Sequence, residues 1–265
     1  MTTIPAQPTL IPSLRMPAEW APHERCLMAW PTRTRAALWG EHLTAAYGEY
    51  AAVAQAIAAF EPVLMVVQLG EAAEAARWLG PGIEVVELPI DDSWMRDSGP
   101  IFVTAPSGER AGVDFRFNSW GERFLPYDAD ACITERLLAH VGETRHDAPL
   151  VLEGGALTVD GEGTLITTEQ CLLHPNRNPT LTRAQIEEHL RHYLGVTTII
   201  WLPYGQYEDS QTDGHVDGVC AFIRPGVVLL QTTTDTLHPS YTRLQANRAR
   251  LSAARDAAGR SLEVI

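Results

Sequence analysis

The sequence predicts an α/β protein built from like units set in a ring or array. Short apolar runs of strand length alternate with amphipathic helical stretches, and prolines or glycines punctuate them. A fixed order recurs: a strand, an acidic or imidazole side chain, a glycine-bearing hairpin, a helix and another strand. Asp97, Glu153 and His215 hold the same place in three successive rounds of that order, 56 and 62 residues apart by their numbers. Recurrence on that scale marks repeated supersecondary units. Each unit then delivers one polar side chain to a common centre.

In chain order, residues 1–15 form an extended lead-in and residues 16–265 a single domain. Residues 26–30 make a short buried strand that Pro31 stops. A helix follows over 41–60, with Tyr50, Val53, Ala54, Ile57 and Phe60 at helical spacing on one face, and Pro62 ends it. Residues 63–68 are a continuous apolar strand, 71–79 a short helix closed by Gly80-Pro81, and 83–88 a strand ended by Pro89. The charged stretch Asp91-Asp92-Ser93-Trp94-Met95-Arg96-Asp97 comes next. Residues 101–104 and 112–117 then pair around Pro106-Ser107-Gly108.

A helix over 130–141 turns Ile133, Leu137 and Leu138 inward. Strand 150–152 leads into Glu153-Gly154-Gly155, and 156–159 pairs with 165–168 around Asp160-Gly161-Glu162-Gly163. The helix over 183–194 has Thr182 and Gln185 placed for a capping box and Gly195 for the C-terminal cap. Strand 197–202 ends at Pro203. A third hairpin joins 216–223 to 227–231, and a helix over 240–258 leads to strand 261–265. Strands 83–88, 150–152 and 197–202 each feed a site-bearing segment. Strand 261–265 has the same character and feeds nothing, which predicts a further unit absent from this polypeptide. Apolar faces left uncovered by such an absence would favour association into a homo-oligomer.

Composition narrows the function. The chain has 265 residues, 45% of them hydrophobic, enough for a large core. A formal net charge of -13 argues against nucleic acid, whose phosphates need clustered Lys and Arg, and weakly favours a cationic ligand. The four cysteines, Cys26, Cys132, Cys171 and Cys220, show no close pairing, as in a reducing compartment. The N-terminus lacks a signal-peptide pattern, and no apolar run approaches the ~20 residues that span a bilayer. A cytoplasmic protein with no membrane partner is expected.

The chemistry centres on Gly214-His215-Val216-Asp217-Gly218. On a strand, His215 and Asp217 project to one face, and the flanking glycines leave room for a ligand. If Asp97, Glu153, His215 and Asp217 converge, the carboxylates repel one another unless a cation lies between them. A guanidinium suits that place, because its planar N–H groups pair bidentately with carboxylates. Trp94 can stack on it and Trp120 can wall the pocket, with Gly214 against the bound cation. A thiolate adding to the guanidinium carbon, and a His passing a proton to the leaving nitrogen and later activating water, would complete a hydrolysis. The nucleophile is the difficulty. Cys220 falls on the opposite face from Asp217, Cys26 and Cys171 sit in apolar settings, and Cys132 lies on a helix, so all four read as structural. The polar loop 207–211 either reaches a ligand's amine tail or is only solvated. A metal hydrolase using His215, Asp217 and His174 is an alternative, but no second close His pair completes a usual ligand set, so neither metal nor cofactor is expected.

Several motifs together carry a resemblance: Met16-Pro17-Ala18-Glu19-Trp20, Asp92-Ser93-Trp94-Met95-Arg96-Asp97-Ser98-Gly99-Pro100, Leu152-Glu153-Gly154-Gly155, Cys171-Leu172-Leu173 with Asn176-Arg177-Asn178-Pro179, and Gly214-His215-Val216-Asp217. From about residue 16 to 265 the chain resembles the agmatine deiminases of the peptidyl-arginine deiminase-like family. The resemblance implies a pseudo-symmetric five-bladed ββαβ propeller and hydrolysis of agmatine to N-carbamoylputrescine and ammonia, within putrescine synthesis. It implies that Asp97 and Asp217 clamp the guanidinium, that His215 is the general acid and base, and that Glu153 orients His215 or assists the clamp. The family's nucleophilic Cys lies in a Gly-rich motif of the last blade, and this sequence has no such segment. That matches the absent unit and predicts a chain that holds the guanidinium without forming the covalent intermediate. The competing expectation is a non-catalytic guanidine- or amine-binding protein of the same fold. Deimination of arginine in proteins is disfavoured by the lack of a secretion signal.

Overall fold

The computed structural model describes residues 14–265. The strands among them form four three-stranded sheets, each taking its strands in chain order. The first contains β1 (Cys26–Ala29), β2 (Val63–Val67) and β3 (Ile83–Glu87). The second contains β4 (Ile101–Thr104), β5 (Arg110–Arg116) and β6 (Thr144–Val151). The third contains β7 (Leu157–Val159), β8 (Thr164–Thr168) and β9 (Thr198–Leu202), and the fourth β10 (Cys220–Arg224), β11 (Val227–Leu230) and β12 (Glu263–Val264).

The last three sheets repeat one plan. Their first two strands pair antiparallel through a short turn, and the third joins in parallel. A parallel partner needs a crossover, which the helices Ile133–Val141, Arg183–Leu194 and Tyr241–Ala253 supply. The first sheet departs from the plan. It is parallel throughout, because helices Leu43–Ala58 and Ala72–Leu79 provide both of its connections.

Local chemistry explains most of these elements. Thr182 and Gln185 form the expected capping box, and Gly195 ends that helix in the left-handed region at φ 64°. Ile133, Leu137 and Leu138 are fully buried. Three expectations need correction. Helix Leu43–Ala58 turns Ala46, Tyr47, Ala51 and Ala54 inward, while Val53 is exposed and Phe60, beyond the helix end, is 92% exposed. Small residues let the helix sit close to β2, and Tyr47 stacks on the buried Trp30 at 5.1 Å between ring centroids. β6 begins at Thr144 rather than at 150, because buried His146, Ala148 and Leu150 alternate with exposed polar neighbours along it. β10 begins at Cys220, so His215 and Asp217 precede the strand.

Of the expected lead-in, only Leu14 and Arg15 belong to the described residues; 1–13 lie outside them. Leu14 is buried, and Arg15 exchanges backbone hydrogen bonds of 2.9 Å with Thr104. The second and third sheets share one apolar core that includes Leu14, Met16, Leu150, Leu165, Tyr193 and Trp201. β3, β6 and β9 run parallel to their neighbours, and the segments leaving their carboxyl ends carry Asp97, Glu153 and His215. In α/β sheets this is where ligands bind. No helix among the described residues is long and apolar enough to cross a membrane.

Candidate active site

Three loops build the site. The first, 91–98, is pinned from beneath. Asp130 Oδ1 accepts from the backbone N–H groups of Asp91 and Asp92 at 2.7 and 3.2 Å. Burial pushes the Asp130 carboxyl up to about 7, against those two hydrogen bonds. Thr32 Oγ1 donates to the Asp91 carbonyl at 2.7 Å, and the buried Arg35 donates from Nε to Asp92 Oδ2 at 3.1 Å. The single helical turn Met95–Ser98 then presents Asp97. Trp120 Nε1 donates to Asp97 Oδ2 and the Gly155 N–H to Oδ1, both at 2.9 Å. Ser119 and Trp120 hold left-handed backbone angles, φ 52° and 53°. Such conformations cost of order 1–3 kcal/mol each and persist where the surroundings over-determine them. Here the Trp120 ring is wedged edge-on among Trp94, Phe117 and Phe124.

The second loop carries Glu153, which is fully buried. Its Oε1 accepts from Arg177 Nε at 2.6 Å. The same guanidinium donates to Asp213 Oδ2 at 2.9 Å and to the Thr212 carbonyl at 3.0 Å. Arg177 therefore fastens the second loop to the third, and Asp213 is also paired with Arg123.

The third loop, 203–219, is irregular. Asp213 and Gly214 turn the chain with φ 61° and 91°. Thr168 Oγ1 fixes the turn by donating to the Gly214 carbonyl at 2.6 Å. Strand alternation is thus not what brings His215 and Asp217 together; the turn does so. His215 Nδ1 lies 3.8 Å from Asp97 Oδ1, and Nε2 lies 3.7 Å from Glu153 Oε2. Asp217 donates its N–H to the Gly155 carbonyl at 3.3 Å. Gly155 marks the point of convergence. A Cβ there would stand 2.5 Å from His215 Nδ1, 2.7 Å from Asp217 Oδ2 and 2.8 Å from Asp97 Oδ1.

These groups open onto a cavity of about 650 Å³ lined by Asp97, His215 and Asp217, with Trp94, Trp120, Trp39 and Phe124 as apolar walls and Asp209, Gln211 and Thr212 on the third loop. Trp94 is half exposed and Trp120 buried. The polar loop before His215 therefore lines the cavity. Glu153 and Gly214 do not. Glu153 sits behind the imidazole, and Gly214 packs against the Gln170 side chain. His174 lies 3.8 Å from Asp213 rather than beside His215 and Asp217, so that set of three metal ligands is not assembled.

Burial raises the carboxyls of Asp97 and Asp217, although His215 works in the opposite direction on both. For His215, burial disfavours the charged ring, but Cys171, Glu153 and Asp97 outweigh it and hold the imidazole above its ordinary value. Arg177 already pairs with Glu153, so Asp97 and Asp217 are the carboxyls that face the cavity, beside the imidazole and the Arg96 guanidinium.

Sequence reasoning missed Arg177, Asp213 and Cys171. The motif Asn176-Arg177-Asn178-Pro179 carries the resemblance without assigning Arg177 a role, yet its side chain is fully buried between Glu153 and Asp213. Cys171 was expected to be structural. Its Sγ lies within 4.8 Å of both a Glu153 carboxylate oxygen and a His215 ring nitrogen, on the side of the ring away from the cavity.

The family model of the Porphyromonas-type peptidyl-arginine deiminases matches residues 15–265. The chain belongs to this family. It is 47% identical to an agmatine deiminase of Pseudomonas aeruginosa (strain LESB58), over 98% of this chain and 72% of that protein. It is also 47% identical to an agmatine deiminase of Stutzerimonas stutzeri (strain A1501), over all of this chain and 72% of that one. Among solved structures, the agmatine deiminase of Enterococcus faecalis superposes with a TM-score of 0.88 at 38% identity, covering 95% of this chain and 70% of that one.

One substitution probes the convergence in this member of the peptidyl-arginine deiminase family. Gly155→Ala is expected to displace the His215, Asp97 and Asp217 side chains while sparing the backbone, since their outer atoms are what the new methyl meets. Affinity for a guanidinium ligand should drop at least roughly tenfold, with a thermal midpoint lowered by only a few degrees, as for about 1 kcal/mol. Calorimetric titration beside a thermal scan reads both; a large loss of stability with affinity intact would contradict this placement.

Proposed function

We propose that this cavity is an agmatine-binding deiminase site, serving hydrolysis of agmatine to N-carbamoylputrescine and ammonia. The observation that carries this reading is the meeting of Asp97, Asp217 and His215, from separate loops, around Gly155 at an apolar-walled cavity. Similarity to agmatine deiminases supports the choice of substrate. Asp97 and Asp217 grip the guanidinium, and Trp94 and Trp120 flank it. Glu153, fixed by Arg177, orients the imidazole. His215, held protonated near neutral pH, gives its proton to the departing nitrogen and then draws one from the attacking water. The same reading takes the last three sheets as ββαβ blades and the all-parallel first sheet as a variant blade of a pseudo-symmetric propeller around the cavity, five blades in the arrangement the resemblance implies.

Covalent catalysis at the guanidinium carbon needs a thiolate. None of Cys26, Cys132, Cys171 and Cys220 lines the cavity, and burial raises the thiols of Cys26, Cys171 and Cys220. We therefore assign the nucleophile to none of these four. Guanidinium binding without turnover is the second reading, and an ammonia assay separates it from the first.

Titration calorimetry with agmatine, putrescine and arginine tests the binding. Agmatine is expected to bind and putrescine, which lacks the guanidinium, to bind far more weakly. Equal affinity for the two amines would refute the guanidinium grip. Ammonia release from agmatine by the same protein would overturn both the exclusion of the four thiols and the second reading.

A further inference from the structure

We propose that Glu153, Cys171 and His215 form a binding site for a thiophilic divalent cation of the zinc class, on the face of the imidazole turned away from the cavity. One donor atom from each residue lies within 4.8 Å of the other two, and all three residues are buried. Two of those side chains carry atoms with no hydrogen-bond partner: Glu153 Oε2 and His215 Nε2. They face each other at 3.7 Å. That is too long for a hydrogen bond, and a buried polar atom left unmatched costs about 1–3 kcal/mol. A cation relieves both atoms at once. Zinc bonds nitrogen and oxygen at about 2.0–2.2 Å, so an ion between two atoms at this separation needs only a small adjustment of either side chain.

The donor set selects the metal. A thiolate and an imidazole suit zinc and its heavier congeners, whereas calcium and magnesium prefer oxygen ligands. The supporting contacts also fit. Arg177 occupies Oε1 of Glu153 and leaves Oε2 facing the ring. Asp97 lies on the other side of the ring, 3.8 Å from Nδ1, so Nε2 is the nitrogen turned toward Glu153. Thr168 Oγ1 accepts from the Cys171 N–H at 3.1 Å and sets the short helical turn that aims the thiol. The Arg177 charge is shared with Asp213, so it does not oppose the cation alone. On binding, the Cys171 S–H bond and the Nε2–H bond of the protonated His215 ring both break, the two protons pass to solvent, and sulfur–metal and nitrogen–metal bonds form, so cation affinity rises with pH.

The consequence for regulation rests on the deiminase reading. A cation on Nε2 withdraws His215 from proton transfer, so the site acts as an inhibitory switch behind the catalytic one. Cation binding itself does not depend on that reading.

Cadmium is the probe, because a cadmium–thiolate bond gives a near-ultraviolet absorption band. Titration of the full chain is expected to show one equivalent bound with that band. Cys171→Ser should abolish it and weaken binding at least roughly 100-fold, while Cys26→Ser, Cys132→Ser and Cys220→Ser each retain it. Cadmium NMR on the unsubstituted chain gives a measurement that needs no variant, with a resonance expected for one sulfur among nitrogen and oxygen ligands. Absence of the band, or its survival in a folded Cys171→Ser protein, would overturn the proposal. Failure of agmatine to bind while the cadmium band forms would sink the deiminase reading and leave the cation site standing.

Discussion

Agmatine is expected to bind the Asp97→Asn protein roughly 100-fold more weakly than the unsubstituted chain. Removing one partner of a buried charge pair costs about 2–5 kcal/mol, or roughly 30- to 4,000-fold in affinity. Asn keeps the shape of Asp97. It loses the charge, and its amide nitrogen must face one of the two donors, Trp120 Nε1 or the Gly155 N–H, that the carboxylate now satisfies. The pH dependence follows with a definite sign. Burial raises the Asp97 and Asp217 carboxyls, so they keep their protons to higher pH than free carboxyls do, and a cation bound against them favours the ionised form. Affinity therefore rises with pH from the acidic side, and binding releases protons. The same raised values make the free fold lose stability as pH climbs from the unfolded carboxyl value through the folded one, and agmatine offsets that loss. Calorimetry in two buffers of different ionisation enthalpy counts the protons. Asp97→Asn should reduce the count, leaving the share of Asp217, whereas a pH-independent affinity would contradict the scheme.

The largest effect on stability is expected at Arg177. Its side chain is wholly buried, and Arg177→Met leaves Glu153 and Asp213 without their shared cation. Breaking a buried pair from one side costs about 3–5 kcal/mol. For a chain of this size that lowers the thermal midpoint by roughly 6–20 °C. Arg177→Lys should recover little, because an ammonium cannot span Glu153 Oε1, Asp213 Oδ2 and the Thr212 carbonyl with one planar fork. Thermal scans of the two variants decide it; a midpoint within two or three degrees of the unsubstituted protein would rule out this role.

Much of the fold was legible because its signals are local. Thr182, Gln185 and Gly195 bracket a helix by hydrogen bonding within a few residues, and the strand–hairpin–helix–strand recurrence follows from punctuation alone. What failed depended on tertiary contact. Val53 and Phe60 fit one helical stripe with Ala54, yet only Ala54 of these three is buried, and Ala46, Tyr47 and Ala51 join it on the inward face because the sheet approaches closely there. His215 and Asp217 were read as a strand pair. They reach the hub through a left-handed turn at Asp213 and Gly214, which alternation cannot foresee. A buried Arg177 and a Cys171 beside an imidazole leave no periodic trace, since their meaning lies in partners 24 and 44 residues away by number.

Asp97, Glu153 and His215 depart from β3, β6 and β9, strands of three different sheets, so no single sheet owns the hub. A guest held there acts as a keystone. Loosening of any one sheet withdraws one jaw of the grip, which makes the guest's residence time a gauge of the least secure of the three. Substitutions far out in one sheet's core are then felt at the centre as changes in alignment, long before they register as unfolding.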